Sequence, residues 1–168
     1  LIAAAGNLSA PVHAPTSGYI VGHGDGLSPH PSGLPIATLT LEADGDDRWA
    51  DLAVPADPDA LSPEEIATRV GQAGIVGLGG AAFPSAVKLN LSRRGGVDTL
   101  ILNGGECEPY LTCDDRLMRE RAADIVAGAE LMRRAVGARR VLVGIEDNKP
   151  EAIAAMQAAA AGGVEVAA

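Results

Sequence analysis

The chain has almost no aromatic residues: one Trp, one Phe and two Tyr make up 2% of its 168 residues. A planar ring bound to it would find few stacking partners and would rest on backbone and aliphatic contacts. Cysteine is nearly absent as well. Cys107 and Cys113 are too few for a disulfide framework and lack the C-x2-C spacing of a zinc or iron-sulfur site, so they read as reduced, partly buried thiols. Basic clusters are missing apart from the pairs Arg93-Arg94, Arg133-Arg134 and Arg139-Arg140, and the net charge is -9. That balance speaks against nucleic acid, whose phosphates demand clustered Lys and Arg. No apolar run approaches the roughly 20 residues of a membrane span. Leu1-Ile-Ala-Ala-Ala lacks the charged region and cleavage site of a signal peptide. The expectation is a soluble, cytoplasmic chain. With no initiator Met and a start that reads as mid-strand, it is also expected to be a fragment of a longer protein.

What is abundant is small apolar residue and glycine: 47% of the chain is hydrophobic and 21 residues are Gly. That supports a core for one domain or one and a half. The chemistry concentrates between Gly74 and Asp115. Gly74-Ile-Val-Gly-Leu-Gly-Gly-Ala-Ala-Phe-Pro84 is a glycine turn with Lys88 close behind it. Gly77, Gly79 and Gly80 remove side chains where backbone amides would approach a phosphate. A bare linker would not interleave Ile75, Val76, Leu78 and Phe83. Pro84 to Asn90 can begin a short helix that carries Lys88 in its first turns.

Before this stretch, residues 1–50 read as a small all-β region, with strands at Tyr19-Ile-Val21 and Ile36–Leu41 and a loop from Gly22 to Pro35. His13, His23 and His30 fit no metal-ligand spacing and read as ordinary surface histidines. Residues 51–61 continue an acidic, proline-rich connection that begins near Asp44. Ser62-Pro-Glu-Glu65 then supplies an N-cap, a first-turn proline and a capping box, predicting a helix from Pro63 to about Ala73 that Gly74 ends.

From residue 97 strands and helices alternate: Thr99–Asn103, a helix over Asp114–Val136, Arg140–Ile145, a helix over Pro150–Ala161, and a last strand at Val164–Val166. The fold class is α/β, a Rossmann-like βαβαβ unit whose apolar strands suit a parallel sheet covered on both faces. In the long helix Leu117, Met118, Ala122, Ile125, Val126, Ala129, Met132 and Val136 form a core stripe. Both main strands end in polar motifs, Asn103-Gly-Gly-Glu-Cys-Glu-Pro109 and Glu146-Asp-Asn-Lys-Pro150. They should lie side by side at the carboxyl edge, where such sheets bind ligands. The spacing is not that of the common dinucleotide fingerprint. Glu106 and Glu108 suit hydrogen bonds from ribose or ribityl hydroxyls or ring N–H groups. Acid-base work, or Mg2+ binding with Asp114 and Asp115, stays open. A hydrolase using Cys107 is disfavoured, because no His follows it.

The segments 74–90, 103–120 and 145–153 resemble the RnfC family of the bacterial Rnf ion-translocating electron transport complex. The first two are more distantly similar to the flavoprotein subunit of respiratory complex I, whose glycine motif has Arg and Gly where Leu78 and Ala82 stand here, and whose Asn-x-Asp-Glu motif has Asp where Gly105 stands. Residues 10–49, with His-Ala-Pro-Thr-Ser-Gly18 and His30-Pro-Ser-Gly33, resemble half of the family's barrel-sandwich hybrid, a lipoyl- and biotinyl-like unit. No Met-Lys-Met attachment site is present.

The resemblance implies three parts: 1–50 a partial barrel-sandwich hybrid, 51–61 a linker, and 62–168 the first part of an FMN- and NADH-binding α/β domain. It implies Gly77, Gly79, Gly80 and Lys88 at the flavin phosphate and ribityl chain, and Asn103, Glu106 and Glu108 at the flavin ring or NADH channel. No catalytic or metal-ligating residue is implied. It further implies an NADH-oxidising electron-entry subunit, peripheral on the cytoplasmic side of the inner membrane, with the other Rnf subunits as partners. Two 4Fe-4S clusters would lie beyond residue 168, and this chain alone would bind FMN weakly or not at all. The alternative is a non-catalytic docking module of such a complex.

Overall fold

The computed structural model describes residues 2, 3, 6, 8–28, 31–77, 82–160 and 163–168, the side chains of 91–94 excepted. Two sheets result, an antiparallel hairpin and a parallel three-stranded sheet.

The hairpin is β1 (Gly18–Leu27) against β2 (Pro35–Ala43). Both strands run further than the sequence predicts, because Gly22 to Leu27 and Pro35, expected in a loop, are paired. Gly22, Gly24 and Gly26 alternate along β1, with Thr40 and Thr38 opposite the first two. A Cβ on Gly26 would lie 2.7 Å from the Thr38 methyl. Gly26 therefore makes room for a cross-strand threonine, whereas Gly22 and Gly24 have space for a side chain, and the connection shrinks to 28–34.

The first helix, α1 (Pro63–Gln72), forms as its signals predict. Ser62 Oγ accepts the Glu65 N–H at 3.3 Å, and Glu65 returns its carboxylate to the Ser62 N–H at 2.8 Å. Gly74, at φ +70, closes the far end: its N–H reaches Gly71 O at 3.0 Å and that of Ile75 reaches Val70 O at 3.2 Å. The N-terminal segment docks here. A Cβ on Gly74 would sit 2.3 Å from Pro11 O, and His13 Nε2 lies 3.0 Å from Gln72 O. The connecting stretch is held too: a short 3-10 turn, Pro58–Ala60, is gripped by Arg134, whose guanidinium donates to the carbonyls of Asp59 and Leu61 at 2.6 and 3.0 Å.

The remaining elements are α2 (Ser85–Gly95), β3 (Thr99–Asn103), α3 (Cys113–Glu120), α4 (Ala122–Val136), β4 (Arg140–Gly144), α5 (Pro150–Ala159) and β5 (Val164–Ala167). The helix expected over 114–136 is two helices, divided at Arg121 (φ -130, ψ 30). Both pack on α5, but α4 also packs on α1 and α2, and tertiary packing overrides a continuous propensity.

Strand order is β3-β4-β5, all parallel. Sequential strands with right-handed crossovers bring every connecting helix to one face. On that face Val141, Val143, Ala129, Ala152 and Met156 are fully buried, with Leu100, Leu102, Val164 and Val166 packed against them. The expected cover on both faces is therefore corrected: among the described residues the other face is open, and Ile101 on it is 64% exposed. Its amino end is polar, where Arg140 Nε donates to Thr99 Oγ1 at 2.9 Å and faces Glu165.

Candidate functional site: a cleft at the carboxyl end of β3

The glycine turn is closed at its base. Val76 bridges Pro84, the Gly77 N–H donates to Phe83 O at 2.9 Å and the Ser85 N–H to Ile75 O at 3.0 Å. Gly77 thus gives its amide to the loop itself. Gly79 and Gly80 lie outside the described residues. Ala82 adopts φ +47, a conformation that favours glycine, at the position where the complex I motif has Gly.

Lys88 sits in the first turn and a half of α2 and folds back over this base. Its Nζ lies 5.8 Å from the Phe83 ring centroid and 3.3 Å from where a Gly77 Cβ would stand. Any side chain at 77 would therefore press on the ammonium. Among the described residues no carboxylate pairs with Lys88, so its charge is available to an anion.

A cleft of about 610 Å³ opens between α2, the outer edge of β3 and helices α3 and α4. Gly77, Lys88, Asn103, Gly104 and Gly105 line its polar side, and Leu100, Leu102, Leu117 and Ile125 its apolar side. That volume lies in the range of small-molecule and cofactor sites. None of the lining residues is aromatic, in keeping with how few aromatic residues the chain has.

Beyond β3 the chain turns sharply. The Gly104 N–H donates to Gly144 O at 2.8 Å, tying the ends of β3 and β4 together, and Asn103 Oδ1 braces the Gly105 N–H at 3.1 Å. The two polar motifs do lie side by side. Glu106 is turned inward, its side chain 4% exposed. It accepts the N–H groups of Asp114 at 2.8 Å and Asp115 at 3.4 Å, and Lys149 Nζ stands 3.5 Å away. The carboxylate thereby serves the free amides at the N-terminus of α3, where negative charge is favoured. Burial alone pushes its carboxyl up, but those amides, the Cys113 thiol and the Lys149 ammonium together hold it below its ordinary value.

Glu108 lies apart from Glu106 in its surroundings: it is exposed, and its carbonyl accepts the Leu111 N–H at 3.3 Å to close a turn through Pro109 and Tyr110. Both cysteines are exposed rather than partly buried. Exposure at Cys107 follows from its place on the loop leaving β3, outside the packed face. Glu106, Cys113 and Asp114 offer ligand atoms within 4.8 Å of one another. A cation there would contend with Lys149 and two helix amides for the same carboxylate, so the geometry does not favour Mg2+. Asp115 is directed to Arg119 instead, at 3.4 Å.

The structure thus brings Gly77, Lys88 and Asn103 to one cleft, places Glu108 on its outer loop, and gives Glu106 to the protein interior. Lys149 is the residue that sequence reasoning leaves without a role. Its signal is only that two polar strand-end motifs, one acidic and one with a single lysine, must be neighbours in a parallel sheet.

Known proteins share this sequence and fold. In Rhodobacter capsulatus, the C component of the ion-translocating oxidoreductase complex is 57% identical over 153 residues, which cover 91% of this chain and 30% of that protein. Its counterpart in Serratia proteamaculans is 49% identical, over 92% of this chain and 22% of that protein. This chain therefore spans about a third or less of the length of these curated relatives. Among solved structures, an NAD+-reducing NiFe hydrogenase in its H2-reduced state superposes with a TM-score of 0.54 at 30% identity, over 63% of this chain and 21% of that one. The stretch from Val70 to Ala167, which holds the glycine turn, Lys88, the cleft and the whole parallel sheet, matches the family described as the Nuo51 FMN-binding domain, and it is to this family that the chain belongs.

Proposed function

We propose that this chain forms one wall of the FMN and NADH site in the electron-entry subunit of a membrane-bound, ion-translocating oxidoreductase complex. The observation that carries the reading is the cleft itself. It lies at the carboxyl end of a parallel strand, with an available ammonium at one end and a glycine-rich strand end at the other, in a member of an FMN-binding family. The fit is chemical as well as spatial: Lys88 suits a phosphate, and the aliphatic wall suits a flat ring.

When bound, FMN supplies the conversion between a hydride from NADH and electrons released singly. The residues here hold and orient. Lys88 neutralises the phosphate beside the base of the glycine turn, and Gly79 and Gly80 let backbone amides reach it. Asn103, its side-chain oxygen already bonded to the Gly105 amide, offers its NH2 group to ring or ribityl oxygens. Glu108, exposed on the outer loop, accepts hydrogen bonds from sugar hydroxyls or ring N–H groups. Glu106 acts one step back, fixing the loop that carries Glu108 onto α3. Leu100, Leu102 and Leu117 exclude water from the ring.

In this reading residues 1–50 belong to a barrel-sandwich hybrid, 51–61 to a linker and 62–168 to the flavin domain. The electrons pass to 4Fe-4S clusters carried outside this chain. The protein lies peripherally on the cytoplasmic side of the inner membrane among the other subunits of an Rnf complex, and no helix among the described residues is long and apolar enough to span it. The second reading, a docking module without flavin, is favoured by one fact: the Gly77 amide and the Glu106 carboxylate are both engaged within the protein.

Flavin content separates the two. In the isolated complex, Lys88→Met should lose bound FMN and NADH:ferricyanide activity, while Cys107→Ser keeps both. If Lys88→Met retains a full complement of flavin, the cleft is not the phosphate site and the docking reading stands.

A further inference from the structure

The turn Glu108-Pro109-Tyr110-Leu111 contains a residue that its geometry does not want. Pro109 occupies the second position and the Leu111 N–H closes the turn onto Glu108 O. The third position has φ +68. A turn of this kind calls for glycine there, because a Cβ strains the left-handed backbone. The chain has Tyr110.

Among the described residues nothing in the packing accounts for that choice. Tyr110 is 102% exposed, so its ring contributes no buried surface to the fold. A bulky side chain held in a glycine conformation without packing benefit marks a functional position more often than a structural one. The position is informative. Tyr110 follows Glu108 by two residues, on the loop that leaves the carboxyl edge of β3, and Glu106 on the same loop is anchored by Lys149 and by the amides of α3. The strained residue therefore stands on a braced loop whose two ends, Gly105 and Asp114, line the cleft, while Tyr110 itself does not.

We infer that Tyr110 is a ring-stacking residue for the exchanging ligand, the dinucleotide NADH, at the outer lip of the cleft. This rests on the function proposed above. A ligand that stays bound would sit within the cleft, where no aromatic residue is present. One that enters and leaves meets the exposed lip first, and a phenol face there offers a stacking surface to a nicotinamide or adenine ring. With only two χ angles it loses little conformational entropy when a ring stacks on it. Of the aromatic residues in this chain, Tyr110 alone lies on the loop joining β3 to α3.

The test uses the flavin-loaded complex with Tyr110→Gly and Tyr110→Phe. Glycine suits the turn, so Tyr110→Gly should keep its flavin and its melting temperature, or gain a few degrees, while KM for NADH rises roughly tenfold and kcat changes little. Tyr110→Phe retains the ring face and should restore the wild-type KM. An unchanged KM in Tyr110→Gly overturns the inference, and so does loss of flavin at unchanged KM, which would move the ring onto the cofactor. Wild-type protein with no flavin and no NADH oxidation overturns the function proposed above, and this inference with it. The two failures are distinct, because the first is seen only in an active wild-type background.

Discussion

Replacing Gly104 by alanine tests how the site is closed at its floor. The Gly104 N–H donates to Gly144 O at 2.8 Å, which holds the two strand ends in contact. A Cβ at 104 would meet that same oxygen at 3.0 Å and the Met118 Sδ at 2.9 Å. The two contacts differ in kind. Sulfur ends a flexible side chain and can swing aside, although Met118 is only 4% exposed and its space is filled. The carbonyl oxygen is backbone and moves only by lengthening the hydrogen bond. Overpacking of this sort costs about 1–3 kcal/mol, a fall of roughly 2–12 °C in melting temperature for a chain of this size. Met118→Ala alone removes buried methylene and sulfur and should cost about 2–5 kcal/mol. In the double variant the new methyl occupies space that the sulfur vacates, so the losses should fall short of their sum by about 0.5–3 kcal/mol, leaving only the contact with Gly144 O. Thermal denaturation of the four proteins completes the cycle. Losses that add to within about 0.5 kcal/mol would show that Met118 does not limit position 104, and the close approach described here would be wrong.

Glu106 should shape the acid limb of stability. Its folded carboxyl lies below the ordinary value of 4.5, so its contribution is full above that pH and disappears as pH falls through the folded value. Glu106→Gln should flatten melting temperature against pH in that window, and a profile as steep as wild type would refute the role. Arg134→Ala should release the 3-10 turn from α4 and cost about 2–3 kcal/mol, given its bonds to the Asp59 and Leu61 carbonyls. Limited proteolysis should then cut near Ala60, and resistance equal to wild type would show that the connection is held by other contacts.

Features set by short-range chemistry were legible in advance. The Ser62–Glu65 capping box, the glycine stop at 74 and the apolar strands at 99–103 and 140–144 each need only neighbours within a few residues. The parallel pairing followed from their alternation with helices. What depended on partners distant in sequence was not legible. Gly22, Gly24 and Gly26 signal a loop until Thr38 and Thr40 stand opposite. Leu117 to Val136 looks like one amphipathic helix until the chain breaks at Arg121 and α4 turns onto α1 and α2 as well as α5. At the site, Lys88 and Asn103 reach one cleft because strand ends and helix starts gather at one edge of such a sheet. Glu106 has the composition of a ligand-binding residue, yet only the fold shows that α3 and Lys149 claim its oxygens.

The open face of the parallel sheet bears on how the molecule behaves in solution. Ile101, 64% exposed, and its half-buried β4 neighbour Leu142 leave an apolar strip on that face, while the net charge of -9 pushes copies of the chain apart. The balance is set by the range of that repulsion, which shrinks from about 30 Å at 0.01 M salt to about 10 Å at 0.1 M. Ionic strength should therefore act on this chain as a colloidal control: dilute buffer should keep copies dispersed, and added salt should raise light scattering as the apolar strip comes within reach of another copy.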